Sequence, residues 1–504
     1  MWPRLHLEDV LVIVHYVGVL LIGIGASMTV PLVVAVVLGE WGPALDFLAG
    51  AGIACAAGAA MMHAKPVRLS VSHSQALAIT ALSWVVASLA ASVPLALSGH
   101  YVSFIDAVFD ALSGLTTTGL TLVTGLDHMA HSHNMWRHLT QLIGGQGIVV
   151  AALSLSVGLR SGAFSLYVAE ARDERILPNV LHTARFIWFV TVAYIVIGTF
   201  ILLGVNSYLG MDPIRATLHA FWASIATYDT GGFAPQSMNA AYYHSVLFEA
   251  GTMFLMVAGF LNFSLHAQVW RGNRAELWRS LEVRTLAVSV FGLSMLAAIG
   301  LSASRFFNTP LSVVRTGMYH VVSAQSAGHQ TLYPEQWTLD VSTTMFSAVM
   351  LAMAFGGAVS STAGGIKALR LGLTLKAIGQ AIRSAVSPRS AAVVTRYYHL
   401  GKRILTPEIA SAATLTFALY VTVYVAGGLV GAAYGYYAPA ALFESISATA
   451  NSGPSTGITA PEMPLGLKLV YMFQMWAGRL EFIAVLAVVS QVIASAAVVL
   501  GPRR

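Results

Sequence analysis

The chain has 504 residues, 57% of them hydrophobic and only 10% charged, with a mean hydropathy of +0.72. A soluble domain carries about 25% charged residues to cover its surface, so this composition excludes a soluble fold and makes lipid the solvent for most of the chain. The net charge of +6 would suggest nucleic acid in a soluble protein; here it reads as basic loops facing anionic lipid, with no nucleic-acid partner.

Arg4 precedes an apolar stretch at 10–38. That stretch is longer than the roughly 7–15 residues of a signal-peptide core, so it is expected to be a retained membrane helix. Further stretches long enough to span follow at 45–63, 75–98, 136–159, 184–208, 245–269, 284–303, 341–359, 406–434 and 466–499. Between some of them lie shorter apolar segments at 104–115, 214–228, 311–325 and 438–449, too short to cross and read as re-entrant half-helices. The lone Cys55 leaves no intrachain disulfide.

Basic residues set the topology. Arg4, then Lys65 and Arg68, then Arg160, Arg172, Arg175 and Arg185 mark successive loops. Arg271, Arg274, Arg279 and Arg284 mark the next, and the segment from Lys367 to Arg403 and the terminal Arg503 and Arg504 complete the set. With a cytoplasmic N-terminus and the short segments not crossing, all of these fall inside, as the positive-inside rule requires.

Each short segment ends in a polar glycine turn: LTTTGL (115–120), TYDTGGF (227–233), SAQSAGH (323–329) and SATANSGP (447–454). Each copy keeps one order of spanning helix, short helix, turn and spanning helix, which predicts four pseudo-symmetric repeats around one axis. A single such turn would most often just join two helices. Four at matched positions ask for another reason, because backbone without helical pairing is tolerated at membrane depth only where it lines a wet cavity. Carbonyls of four converging turns can replace the hydration shell of a cation, and the short helices would aim the negative ends of their dipoles at it. Neutral oxygens suit a monovalent ion better than a divalent one.

Two other features stand out. FGGAVSSTAGGIK (355–367) is a poor helix, with Gly356, Gly357, Gly364 and Gly365 around Ser361 and Thr362, and reads as non-helical backbone lining a cavity. Arg479 lies within an apolar span and should face the interior, with the carbonyls of 356–365 as candidate partners. Arg137 and Lys468 lie near span ends, where snorkelling suffices. His128, His131 and His133 have loop spacings that could hold a metal, but a hydrated outer loop is the simpler reading. No phosphate-binding loop, H-E-x-x-H or nucleophile elbow occurs. A transporter is therefore expected, with a membrane-embedded enzyme as the competing class.

These motifs together resemble the Trk/Ktr/HKT superfamily of potassium transporters, and within it the TrkH-type pore subunit. The likeness spans the whole chain. It includes WRHLTQLIGGQGIVV (136–150), GGAVSSTAGGIK (356–367) and AGRLEF (477–482), and two helices ahead of the first repeat. It implies an all-α polytopic membrane protein with an N-terminal two-helix segment at 1–70. Repeats with pore loops would follow at 71–165, 180–272, 280–385 and 400–504. It implies potassium-selective uptake through a gated, channel-like pore, with potassium held by backbone carbonyls at Thr117, Thr118 and Gly119; Thr230, Gly231 and Gly232; Ser326, Ala327 and Gly328; and Asn451, Ser452 and Gly453. The glycine-rich stretch would be an intramembrane gate, with Arg479 as a positive constriction in the ion path. A symporter coupling potassium to sodium or protons is the alternative mechanism.

Glycine rather than serine at 119 is the family's mark of potassium preference. Two positions depart from the pattern. Asp229 either concentrates cations at the outer mouth or pairs with a nearby donor. His329 stands where phenylalanine is usual and either packs behind the turn or joins ion binding. The resemblance further implies a homodimer, a TrkA-type nucleotide-binding subunit on the cytoplasmic side, a bacterial inner-membrane location and no organic cofactor in this chain.

Overall fold

A computed structural model describes residues 6–64, 71–147, 180–303, 309–326, 328–332, 336–339, 341–388 and 393–500. The principal helices are α1 (Leu7–Ser27), α2 (Thr29–Leu38), α3 (Trp41–Met62), α4 (His73–Leu97), α5 (Phe104–Leu115) and α6 (His131–Gln146). Next come α7 (Val180–Tyr208), α8 (Pro213–Tyr228), α9 (Val246–Phe260), α10 (Phe263–Trp270), α11 (Leu281–Ser302) and α12 (Pro310–Ala324). The last are α13 (Thr343–Phe355), α14 (Ala368–Val386), α15 (Pro407–Ala433), α16 (Ala438–Ala450), α17 (Leu465–Arg479) and α18 (Ile483–Leu500).

Side chains start many of these helices. Ser103 caps α5 in a capping box with Asp106, Asp212 accepts two amides before Pro213, and Thr309 precedes Pro310. A hydroxyl or carboxylate satisfies amides that have no intrahelical partner, and proline at the first position gives up none.

Among the described residues, six segments are long and apolar enough to cross a membrane: Leu7–Leu38, α3, α4, His182–Tyr208, α11 and α15. Two stretches expected as continuous spans are instead broken pairs. Within 245–269, α9 and α10 meet at 98°, because Asn262 leaves the helix and its side chain accepts the Ser264 amide (2.7 Å) to start a new one. Within 466–499, α17 ends at Arg479, and Glu481 and Phe482 both take left-handed backbone before α18 begins at Ile483. The stretch 341–359 also stops short: α13 ends at Phe355, and Gly356 turns the chain at φ +65°. Of the stretch 136–159, the part beyond 147 lies outside the described residues.

The chain divides into two compact units. The first comprises 1–116, 121–189 and 479–504; the second comprises 117–120 and 190–478. In the first unit α1 lies against α3 and α4. Their seam is made of small residues: a Cβ on Gly25 would sit 2.7 Å from Cys55 Sγ. Such seams let apolar helices pack closely where the hydrophobic effect cannot drive them together. In the second unit the short helices α8, α12 and α16 pack against α9, α11 and α15 respectively. One core gathers Leu202, Phe248, Leu255, Tyr319 and Val322. Another joins Val359, Leu373 and Leu405 to Tyr397 of a small antiparallel hairpin, β1 (Arg396–Tyr398) and β2 (Lys402–Ile404).

Candidate functional site

The first turn's tip, 117–120, belongs to the same unit as the other three turns. Local C-caps build the tips. Thr117 (φ 54°), Thr230 (53°) and Asn451 (52°) each take the left-handed conformation that ends a helix. The Gly231 amide reaches back to the Ala226 carbonyl (2.7 Å), and Ser452 to Ser447 (3.0 Å), the closure of a Schellman cap. Two residues beyond each left-handed residue stand Gly119 (φ 91°), Gly232 (77°) and Gly453 (97°), and the third turn has Gly328 at 70°.

The turns touch in cyclic order. A Cβ on Gly119 would lie 2.6 Å from the Gly231 carbonyl oxygen, and one on Gly453 would lie 2.5 Å from that of Thr118. One on Gly328 would overlap the Ser452 carbonyl outright. Between the second and third turns, Thr227 Oγ1 and His329 Nε2 are 3.1 Å apart. Asn451 also donates to Thr118 Oγ1 (2.9 Å), and Ser452 Oγ donates to the Ala324 carbonyl (2.5 Å). These turn residues are buried except Gly119, which is half-buried. The structure therefore brings together Thr117–Gly119, Thr230–Gly232, Ser326, Gly328 and Asn451–Gly453, while Ala327 lies outside the described residues. At Gly119, Gly328 and Gly453 a neighbouring turn's carbonyl occupies the space of a side chain.

A set of anchors that sequence reasoning missed holds the chain leaving three of the four tips. Asp110 accepts the Thr121 hydroxyl and the Leu122 amide (3.3 Å). Glu444 accepts the Ser455 hydroxyl (2.6 Å) and the Thr456 amide (2.7 Å). His320 Nε2 accepts the Thr331 amide (3.3 Å). In all three the amide belongs to the third residue after the glycine. In the second turn that residue is Pro235, which has no amide to satisfy. An acid nine residues before the glycine in two of the four short helices was the visible signal.

The 356–367 segment is non-helical and buried. Thr362 Oγ1 donates to the carbonyls of Tyr228 (3.0 Å) and Gly259 (2.9 Å), at the foot of the second turn. Gly364 packs under the Ala450 carbonyl at the foot of the fourth. Ala358 donates its amide to Phe260 (2.9 Å), and Val359 donates to the buried Glu282 carboxylate (2.6 Å). Gly356, Gly357, Ser361, Thr362, Gly364 and Gly365 thus form one folded loop against the second and fourth turns.

A profile described as a cation transport protein, TrkH, matches residues 46–499. The chain belongs to the TrkH family. It is 30% identical over 488 residues to an uncharacterised cation transporter of Methanocaldococcus jannaschii, covering 96% of each chain. It is 29% identical over 486 residues to the Trk system potassium uptake protein TrkH of Halomonas elongata, covering 94% of this chain and 97% of that one. The crystal structure of the potassium transporter TrkH from Vibrio parahaemolyticus has the same fold, with a TM-score of 0.80, 23% identity and coverage of 95% and 98%. The relatives are named as transporters, so the membrane-enzyme alternative falls away. The chain is a multi-pass membrane protein.

In this TrkH-family chain, Arg479 donates to the carbonyls of Gly144 (2.5 Å) and Gly145 (3.4 Å) and stands 5.7 Å from the centre of the Trp84 ring. Carbonyls do receive it, but these two were not anticipated. Two basic residues taken to snorkel are buried instead. Arg137 pairs with Asp110 (3.0 Å), and Lys468 donates to the Pro461 carbonyl (2.8 Å). Helix ends give no snorkelling route when the side chain turns inward to satisfy a carboxylate or carbonyl. Asp229 is fully buried at the end of α8, and His329 bridges Thr227 and Asn239 (3.0 Å). His131 bonds Glu40 (3.1 Å), and His133 lies 3.3 Å from Asp46. Among the described residues no cluster of three or more His, Cys, Asp or Glu is arranged to hold a metal.

Proposed function

We propose that this chain takes up potassium through a pore whose filter is the ring of glycine turns. The observation that carries the reading is the cyclic contact of four tips: at three junctions a neighbour's carbonyl lies in the Cβ space of a glycine, and at the fourth Thr227 meets His329. A rigid ring of neutral oxygens sized by direct packing can replace water around one alkali ion, and a change at one tip propagates to the next. The names of the Halomonas elongata and Escherichia coli relatives, both potassium uptake proteins, support the choice of ion.

On this reading the coordinating groups are the backbone carbonyls of Thr117–Gly119, Thr230–Gly232, Ser326–Gly328 and Asn451–Gly453, and potassium is the cargo. The 356–365 loop, tied to the feet of two turns, is the gate, with Arg479 a positive group in the ion path. The four repeats follow the boundaries read from the sequence, the N-terminus is cytoplasmic in a bacterial inner membrane, and a TrkH-like dimer works with a TrkA-type regulatory subunit. A passive channel is favoured over symport because a fixed ring needs no alternating access.

The test is growth of a potassium-uptake-deficient cell on low potassium, paired with reversal potentials of the reconstituted protein as potassium and sodium gradients are varied independently. A channel's reversal potential follows its permeant ion alone. A potential that shifts with the sodium or proton gradient in a fixed stoichiometric ratio would favour the symporter, and failure to support growth would remove potassium uptake itself.

A further inference from the structure

The 98° elbow between α9 and α10 encloses an apolar cavity of about 180 Å³. Phe254, Val257 and Trp270 line it and are 48%, 39% and 46% exposed, so it opens outward on a face that meets lipid. Its lining has few polar groups, and these are engaged: His266 Nε2 bonds the Ala258 carbonyl (3.0 Å), and Nδ1 is 3.5 Å from the Tyr194 hydroxyl. Such a lining suits a hydrocarbon chain.

The rim is different. The chain leaves the cavity at Trp270 and returns to it at Leu277. Between them stand Arg271 and Arg274, and Arg279 follows; all three are exposed, with no acidic partner among the described residues. The acid in this segment, Glu276, is turned inward, where it accepts the Leu400 amide (2.9 Å). Trp278, 79% exposed, completes an arginine and tryptophan border of the kind found at the membrane–water boundary.

We propose that this elbow is a binding site for one anionic phospholipid, its acyl chain in the cavity and its phosphate on Arg271 and Arg274. Cationic side chains at that depth attract anionic headgroups, and the cavity adds chain burial that a neutral lipid would share but could not anchor. The site is one aromatic layer from the second turn. Tyr194, in its wall, stacks on Tyr228 at the end of α8 (centroids 5.2 Å apart, 14° between planes). Ala258, also in the wall, adjoins Gly259, which presses on the Tyr228 carbonyl. An occupant therefore backs the wall that supports Thr230–Gly232.

Binding is read without transport, so the inference stands or falls apart from the filter reading. The full chain in mild detergent is titrated with phosphatidylglycerol and with phosphatidylcholine, and bound lipid is counted by native mass spectrometry. Wild type should retain one phosphatidylglycerol in preference to phosphatidylcholine. Arg271→Gln with Arg274→Gln should weaken it at least fivefold, and Val257→Trp, which fills the cavity, should weaken it comparably. The control Arg396→Gln with Lys402→Gln, on the exposed face of the hairpin, should leave it unchanged. Equal retention in wild type and the arginine pair, equal loss in the control pair, or undiminished binding to Val257→Trp would each overturn the proposal.

Discussion

Replacing Gly119 with serine tests the packing of the tips most directly. The new Cβ would sit 2.6 Å from the Gly231 oxygen and 3.2 Å from Gly232 Cα, where ordinary contact begins at 3.4 Å. The two tips must part by about 0.8 Å, the difference between 3.4 and 2.6 Å. The backbone at φ +91° adds a penalty of about 1–2 kcal/mol for a residue with a Cβ. Overpacking a tight site adds about 1–3 kcal/mol. Strain of about 2–5 kcal/mol therefore falls on the ring we propose as the filter. If only about 1.4 kcal/mol of it is taken from the preference for potassium, selectivity drops tenfold. We expect the potassium-to-sodium permeability ratio in bi-ionic reversal measurements to fall at least tenfold, while the melting temperature falls by less than about 10 °C. Gly52→Ser is the control: nothing lies within 4 Å of its Cβ, and it should change neither quantity. If Gly119→Ser keeps wild-type selectivity and flux, the tips do not set the ion's coordination and the reasoning fails.

Asp110→Ala strands the buried Arg137 and should cost about 3–5 kcal/mol, seen as early loss of the monodisperse peak when heated samples are run on a sizing column. Adding Arg137→Met should recover at least half of that loss; no recovery would mean the pair is not the source. Thr362→Val keeps shape but removes the hydroxyl bonded to Tyr228 and Gly259, worth about 1 kcal/mol. The resting potassium leak of proteoliposomes should rise about fivefold, and an unchanged leak would remove the loop from gating. Glu40 caps α6 through the amides of His131 (2.9 Å) and Ser132 (3.0 Å). Burial pushes its pKa up, but the bonds from Ser132 and His131 outweigh this and hold it below the ordinary 4.5. A depressed carboxylate stabilises the fold fully above 4.5 and loses that contribution as pH falls through its folded value. Wild type should therefore lose thermal stability on acidification below about pH 4.5 more steeply than Glu40→Gln; parallel melting curves would refute this.

The four short helices were legible because their lengths and their terminal glycines are local features. A 12- to 16-residue apolar stretch cannot cross, and a left-handed cap needs nothing beyond its own turn. The breaks in 245–269 and 466–499 were not, because hydropathy counts apolar residues and is blind to two left-handed positions at Glu481 and Phe482. The inward turn of Arg137 was equally hidden, since its partner Asp110 is 27 residues away.

The order of residues fixed by itself that the chain lives in lipid, where its short helices lie, and that each ends in a glycine turn, since composition and local dihedral preference suffice for these. What only the folded molecule decided is why the glycines must be glycines. Gly119, Gly328 and Gly453 have no room for a Cβ because the carbonyl of another turn, distant in sequence, occupies that space, and a contact between distant segments leaves no trace in the local pattern of either.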